Sequence, residues 1–398
     1  MKIISAQTGV VEIPFTFPAS GIGITPDAWR SLEFALIRLE DDAGNVGWGE
    51  GFGYFTVDAT KAMLDRLLVP RLLGAEIADV PAWNARAQRD LHLFGRGGVS
   101  MFAISAVDIA LWDLAAKRAG QPLWALLDGY AGAGSRPRPG RLSCYASLMR
   151  YGEGTLAASA VTDALAAGYA AVKLHETGLA EIAACRAAAG PAVPLSVDVN
   201  CQWTVGFVEG NRTRLQKLNL AWLEEPVFPP EAFETLARLR SPGLALAAGE
   251  NWGTALVFES SGDAVDIWQP SVTKVGGISE YLRIIEAARE RGRRLIPHCP
   301  YFGPGYFATL HLAAACDVMD NIEVLWAQPD AWLCDVESLR DGTVLIVPQA
   351  PGLGFEPDPG VLARYSGRGA LGAGRSARPP GPGAEQRPCG RNAVIDEN

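Results

Sequence analysis

Three stretches of the chain end alike: Leu195-Ser196-Val197-Asp198, Ala221-Trp222-Leu223-Glu224 and Leu244-Ala245-Leu246-Ala247-Ala248-Gly249-Glu250. Each is a short apolar run closing on a carboxylate, and the acids at 198, 224 and 250 stand 26 positions apart. That interval is one strand plus one crossover helix, the unit a parallel sheet requires. Five further runs extend the series, giving 142–148, 171–175, 195–200, 221–225, 244–250, 265–270, 294–298 and 321–326. Helical stretches separate them; in 278–291, Tyr281, Ile284, Ile285 and Ala288 recur at helical spacing. Eight such units predict an α/β fold, a TIM-type (β/α) barrel. No clean long helix follows Trp326, so the last unit should be irregular, with a strand-like 343–347 and a Pro/Gly-rich 351–359 wrapping back.

Upstream the pattern differs. Strand-like segments at 3–13 and 31–39, a turn at 41–45 and Gly47-Trp48-Gly49-Glu50 read as antiparallel β. Helical periodicity follows at 58–73, 80–91 and 100–119, the last with Ala103, Val107, Ala110, Leu111 and Leu114 on one face. Strands followed by helices predict an α+β unit ahead of the barrel. Residues 131–141 hold three Gly and two Pro without apolar period and read as a linker. The expected organisation is a capping domain over 1–135, a barrel over 140–330, a return segment over 331–362 packing on the cap, and a disordered tail over 363–398. Residues 367–398 carry seven Gly, four Pro and five Arg, too few large apolar groups to pack.

Composition narrows the function. A formal net charge of −9 offers no basic surface for phosphates, which argues against nucleic acid. The N-terminus lacks a basic region followed by an apolar run, and no uninterrupted apolar window suits a membrane span. A cytoplasmic protein with no membrane partner is the expectation. Seven cysteines without a Cys-x-x-Cys pair suggest neither a disulfide framework nor a zinc site.

Active sites of such barrels lie at the C-terminal ends of the strands. Asp198, Glu224 and Glu250 on consecutive strands would repel one another there, and a divalent cation removes that cost. Oxygen-only ligands point to Mg²⁺. The plainer alternative is three unrelated acids, each capping the helix that follows. Strand two adds Lys173 and His175, which face the same side, and strand seven adds His298 across the rim. Near the metal, Lys173 should have a depressed pKa and serve as base, with His298 acting from the opposite face. Glu323 on strand eight either donates a hydrogen bond to a developing enolate or pairs with a neighbouring cation. Together these residues describe removal of the proton α to the carboxylate of a small-molecule substrate, through an enediolate.

The motifs Gly47-Trp48-Gly49-Glu50, Ser105-Ala106-Val107-Asp108-Ile109-Ala110-Leu111-Trp112-Asp113, Val172-Lys173-Leu174-His175, Val197-Asp198-Val199-Asn200, Trp222-Leu223-Glu224-Glu225-Pro226 and Gly249-Glu250-Asn251 occur in that order. In this combination the chain resembles the mandelate racemase branch of the enolase superfamily over roughly residues 1–360. The resemblance implies that the α+β N-terminal unit is a capping domain over a modified TIM (β/α) barrel, with Mg²⁺ on Asp198, Glu224 and Glu250 and a Lys or His base. It also implies a homo-oligomer. Asn200, Asn251 and Ser271 are expected beside the substrate or the ligands. Two departures matter. The racemases of this branch place on strand six an aspartate that partners the strand-seven histidine; here Ser271 stands there. His175 stands where a second Lys is common, and it is expected to shape specificity or relay protons. A histidine without an anionic partner is better suited to acid work than to abstraction. The departures therefore favour dehydration of an acid sugar, with Lys173 as base, His298 as acid and Glu323 as enolate partner. Racemisation or epimerisation of a hydroxy acid, cycloisomerisation of a sugar-acid lactone, and a catalytically silent barrel are the alternatives. The capping loops 15–29 and 51–55 are expected to carry substrate identity, and Lys274 is read as structural, below the rim.

Overall fold

The computed structural model describes residues 1–16, 29–130, 140–299, 302–369 and 371. The cap is built on β1 (Ile3–Thr16), β2 (Ser31–Asp41) and β3 (Val46–Gly51), paired antiparallel in sequence order, with the Asp41–Asn45 turn between β2 and β3. Helices Val57–Met63, Val80–Asp90 and Val99–Arg118 follow, close to where the periodicity places them.

One packing contact sets the cap's geometry. Gly47, Gly49 and Gly51 alternate along one face of β3, and Phe102, Ala106 and Ala110 recur every fourth residue on Val99–Arg118. A Cβ on Gly49 would lie 1.8 Å from the Ala106 carbonyl oxygen; on Gly47 or Gly51 it would lie 2.4 or 2.5 Å from those of Ala110 or Phe102. The helix backbone thus rests directly on the strand, and only residues without a side chain permit this. Val99–Arg118 is long and apolar enough to cross a membrane, with a mean hydropathy of 1.6, but 83% of that window is buried inside the protein. Its apolar residues serve sheet, barrel and return segment together, which removes any amphipathic face.

The second sheet is the barrel. β4 (Arg141–Ser147), β5 (Val172–Leu174), β6 (Leu195–Asp198), β7 (Leu223–Glu224), β8 (Leu246–Ala248), β9 (Ile267–Trp268) and β10 (Arg294–Leu295) pair parallel in sequence order. β11 (Ile322–Leu325) pairs parallel with β4, and Leu295 bonds to Val318 and Asp320 just ahead of it, closing the ring. Seven of the eight runs contain their strand, and β4 starts one residue ahead of its run, at Arg141. Tyr145, Trp222, Ala247, Ile267 and Ile296 point inward and fill the floor. Burial of side chains this size contributes about 1.5–3 kcal/mol each.

After β11 the chain departs from the repeat. β12 (Gln328–Pro329) pairs with the end of β1, and β13 (Arg340–Asp341) and β14 (Val344–Ile346) form a hairpin antiparallel to the start of β4. Helix Pro359–Tyr365 and β15 (Ser366–Gly369) come next, and β15 pairs with Gly9–Val11 of β1. The expectation that disorder begins at 363 is therefore corrected: 363–369 complete a helix and add a strand. β1 offers an edge not covered by β2, and backbone pairing there needs no apolar side chains. Residues 372–398, and 131–139 of the expected linker, lie outside the described residues.

Three buried carboxyls staple cap to barrel. Asp108 accepts from the Ser279 N–H at 2.9 Å and the Asn84 amide at 2.7 Å, holding the loop that follows β9. Asp113 accepts from the N–H groups of Trp48 (2.9 Å) and Leu353 (2.8 Å), joining β3 to the return segment. Glu50 accepts from the Gly305 N–H at 2.9 Å, at the start of helix Pro304–Ala315. Burial pushes the Glu50 carboxyl up to about 8, against the lowering effect of that hydrogen bond. The sign follows from linkage. An acid whose folded pKa lies above its ordinary value of 4.5 costs nothing below that pH. It withdraws stability progressively as pH rises towards 8, where the unfolded chain is already ionised. Glu50→Gln, which mimics the protonated form, should melt with the parent at pH 5 and above it at pH 9. Parallel melting profiles across that range would mean Glu50 titrates normally.

Candidate active site

Strand alternation raises the site from the floor. Two residues beyond the inward layer of Tyr145, Trp222 and Ile296 come Ser147, Glu224 and His298, again pointing inward. Lys173 lies beside Ser147 and Ser196, Asp198 beside Glu224, and Glu323 beside Tyr145. Glu250 lies one residue past the inward Gly249. Gly249 turns the chain with a φ of 132°, and a Cβ there would sit 2.7 Å from the Phe258 ring. The register and this one glycine place all seven expected groups in a single mouth.

Ligand oxygens of Asp198, Glu224 and Glu250 come within 4.8 Å of one another. Lys173 Nζ lies 2.8 Å from Glu323, 3.3 Å from Glu224 and 3.7 Å from Asp198, with its side chain 1% exposed. His175 Nδ1 meets the Leu148 carbonyl at 2.6 Å and Nε2 lies 3.5 Å from Asp198. The Nδ1 contact fixes Nδ1 as the protonated nitrogen, so Nε2 of a neutral ring faces the acid as an acceptor. On the opposite wall, His298 Nε2 lies 3.2 Å from Glu250.

Charge is unevenly tolerated here. Burial, then Asp198, push the Glu224 carboxyl well up, although Lys173 pulls the other way. Burial also raises Glu250, but His298 and Lys274 outweigh it and hold this acid at about 2. At Glu323 burial is likewise overcome, chiefly by Lys173, and the acid stays at about 2. Burial alone would lower the Lys173 ammonium, yet Glu224 and Glu323 raise it well above its ordinary value. The depressed pKa expected of Lys173 is thus reversed among bare carboxylates, because the expected lowering depends on a cation neutralising them. Of the two roles weighed for Glu323, the geometry shows the ion pair: it accepts from Lys173 and, at 3.2 Å, from the Cys299 N–H.

The donor set fits a divalent cation. Three oxygen ligands converge, Asp198 Oδ2 is buried without a hydrogen-bond partner, and burial together with Asp198 makes Glu224 resist ionisation. Hard oxygen donors suit magnesium.

A cavity of about 590 Å³ opens above the triad. Lys173, His175, Asn200, Glu250, Asn251, His298 and Glu323 line it from the barrel. Trp29, Phe52 and Tyr54 reach it from the cap. Of the loop aromatics, Phe15 packs edge-on against Trp29 at 4.8 Å, as core, and Phe55 is half exposed. Residues 17–28, including Phe17, lie outside the described residues. Ser271 is fully buried with its hydroxyl 3.3 Å from that of Thr273, and His298 Nδ1 is buried without a partner.

Sequence reasoning missed two cavity residues. Glu225, beside a metal-ligand candidate, was visible only as the second acid of Glu-Glu-Pro. Lys274 is not below the rim: β9 ends at Trp268, and a turn in which the Lys274 and Val275 N–H groups donate to the Ser271 carbonyl carries the lysine up to the cavity wall. Its Nζ lies 3.9 Å from Glu250.

Residues 18–128 match the family model for the mandelate racemase / muconate lactonizing enzyme N-terminal domain, and 156–361 match the one described as enolase C-terminal domain-like. The chain is 29% identical to the 3,6-anhydro-alpha-L-galactonate cycloisomerase of Streptomyces coelicolor, over 90% of this chain and 98% of that protein. It is 30% identical to the arabinonate dehydratase of Saccharolobus solfataricus, over 85% and 92%. The crystal structure of a racemase from Streptomyces coelicolor A3(2) with bound magnesium superposes with a TM-score of 0.76 at 28% identity, covering 92% of this chain and 99% of that one.

Mg²⁺ should raise the melting midpoint of the protein, since a cation bound only by the folded state stabilises it by about 2.7 kcal/mol at a hundredfold excess over Kd. Glu224→Gln should abolish that rise while leaving the metal-free protein at least as stable, because it removes the acid that burial and Asp198 penalise. A magnesium-dependent rise that survives Glu224→Gln would place the cation elsewhere.

Proposed function

The chain belongs to the mandelate racemase / muconate lactonizing enzyme family of the enolase superfamily, and from that premise we propose that it is a magnesium-dependent dehydratase of an acid sugar. The observation that carries this reading is the placing of Lys173 and His298 on opposite walls of one carboxylate-lined mouth. Asp198, Glu224 and Glu250 would hold the magnesium, which when bound supplies positive charge beside the substrate carboxylate. Drawing Asp198 and Glu224 onto the cation would weaken two of the three acids that hold Lys173 protonated and so favour the free amine, which takes the α-proton onto Nζ. His298 delivers a proton to the β-hydroxyl as its C–O bond breaks, water leaves, and the resulting enol becomes a 2-keto acid. Glu323, held against Lys173 and the Cys299 N–H, fixes the amine's position. His175, anchored at Nδ1 by the Leu148 carbonyl, lines the mouth beside Asp198.

Ser271 favours the acid role of His298. A partnering aspartate would make the imidazole more basic and suit it to proton abstraction, whereas here Nδ1 has no partner. A second reading, cycloisomerisation of a sugar-acid lactone, rests on the nearly full-length similarity to the Streptomyces coelicolor cycloisomerase. It shares the α-carbon step and differs in where the electrons then go.

Incubation with Mg²⁺ and a library of mono- and diacid sugars in deuterated water should give 2-keto acid. Lys173→Ala should abolish both keto product and α-deuterium, by the 10²–10⁴-fold typical of a general base. His298→Asn should lose keto acid yet retain exchange. Exchange without keto product in the parent enzyme would instead mean racemisation, and no exchange with any acid would mean a silent barrel.

A further inference from the structure

On the β7–β9 side of the mouth, touching Glu250 through Asn251 at 3.0 Å and Lys274 at 3.9 Å, lies a second polar group that the α-proton chemistry does not use. Glu225 is 2% exposed and takes a φ of 38°, a left-handed backbone that a non-glycine residue holds only at a cost. Its Oε2 accepts from the Asn251 amide at 3.3 Å and the Cys201 thiol at 3.7 Å. Its Oε1 is buried without any partner, in the wall of the cavity. Lys274, on the same wall, donates to Asn251 Oδ1 at 3.2 Å, and its Nζ sits 4.3 Å above the Phe52 ring from the cap.

A buried carboxylate oxygen left unpaired costs the free energy of a lost hydrogen bond, so its occupant is a donor. The residues around it make a mixed set: Glu225 accepts, Lys274 and Asn251 donate, and Phe52 presents an aromatic face. A hydroxyl both donates and accepts, and two hydroxyls on adjacent carbons match an acceptor beside a donor while their C–H bonds pack on a ring.

We propose that Glu225, Asn251 and Lys274, with Phe52, form a subsite for vicinal hydroxyls of the substrate, remote from the carbon that loses its proton. The inference rests on the acid-sugar reading and narrows it: the substrate is a polyhydroxylated chain or ring bearing hydroxyls beyond those next to its carboxylate, and Glu225 is a specificity-determining residue.

The test is a ratio of affinities. In the magnesium-loaded Lys173→Ala protein, which prevents turnover, titration calorimetry compares four- to six-carbon polyhydroxy acids with 2-hydroxyhexanoate, which keeps the carboxylate and α-hydroxyl alone. The best polyhydroxy acid should bind at least about tenfold tighter. Adding Glu225→Ala or Lys274→Gln should bring the ratio towards one, with Glu225→Gln restoring part of it because an amide still pairs with a hydroxyl. A ratio near one without either change, or a ratio that neither change moves, overturns the subsite. α-Deuterium exchange by the Lys173-intact protein is read separately. Exchange with no hydroxyl dependence of binding removes the subsite alone, whereas hydroxyl-dependent binding without exchange from any acid removes the dehydratase reading alone.

Discussion

Repulsion among buried carboxylates governs the mouth of this barrel. Asp198, Glu224, Glu225, Glu250 and Glu323 converge where burial disfavours charge, and every other polar feature there answers to them. Lys173 lies among three of these acids, His298 and Lys274 flank Glu250, and the tautomer of His175 leaves an acceptor towards Asp198. Lys173 and Lys274 are interleaved among these acids, and burial together with Asp198 still disfavours charge on Glu224. A site built this way is poised for added positive charge. The same balance keeps Lys173 protonated, its acidic neighbours outweighing the burial that would lower it.

The cap depends on a different constraint, the absence of side chains. Three alternating glycines let Val99–Arg118 rest its backbone on β3, and the residues between them, Trp48 and Glu50, point away to the return segment and to helix Pro304–Ala315. One strand therefore positions a helix on one face and two distant parts of the chain on the other. That arrangement holds the aromatic roof of Phe52 and Tyr54, immediately beyond β3, over the metal-ligand candidates.

The barrel was legible because each parallel strand must be apolar on both faces and must be followed by a helix, which writes a regular repeat into the chain. Asp198, Glu224 and Glu250 were legible for the same reason: each closes a strand, so strand period fixes its direction. Lys274 and Glu225 were misjudged or passed over because their positions come from turns beyond the strand ends, where alternation no longer determines which way a side chain points. The strand at 366–369 was invisible because backbone pairing recruits it, and its Gly- and Arg-rich composition carries no apolar signal. The unlikely reach of Glu50 to Gly305 is equally silent in sequence, since one hydrogen bond across that separation leaves no local pattern.

The Glu50–Gly305 contact spans 255 residues, and Asp113–Leu353 spans 240. Contacts of such separation form late, since the intervening chain must first be gathered in. Synthesis runs from the N-terminus, so the cap leaves the ribosome while the surfaces its longest helix needs do not yet exist. For that interval an apolar twenty-residue helix has only the cap's own strands and helices to cover it. The cap is thus committed to its own barrel by folding order as well as by chemistry, and a newly made chain passes through its most aggregation-prone state before the acidic half of the active site has been translated.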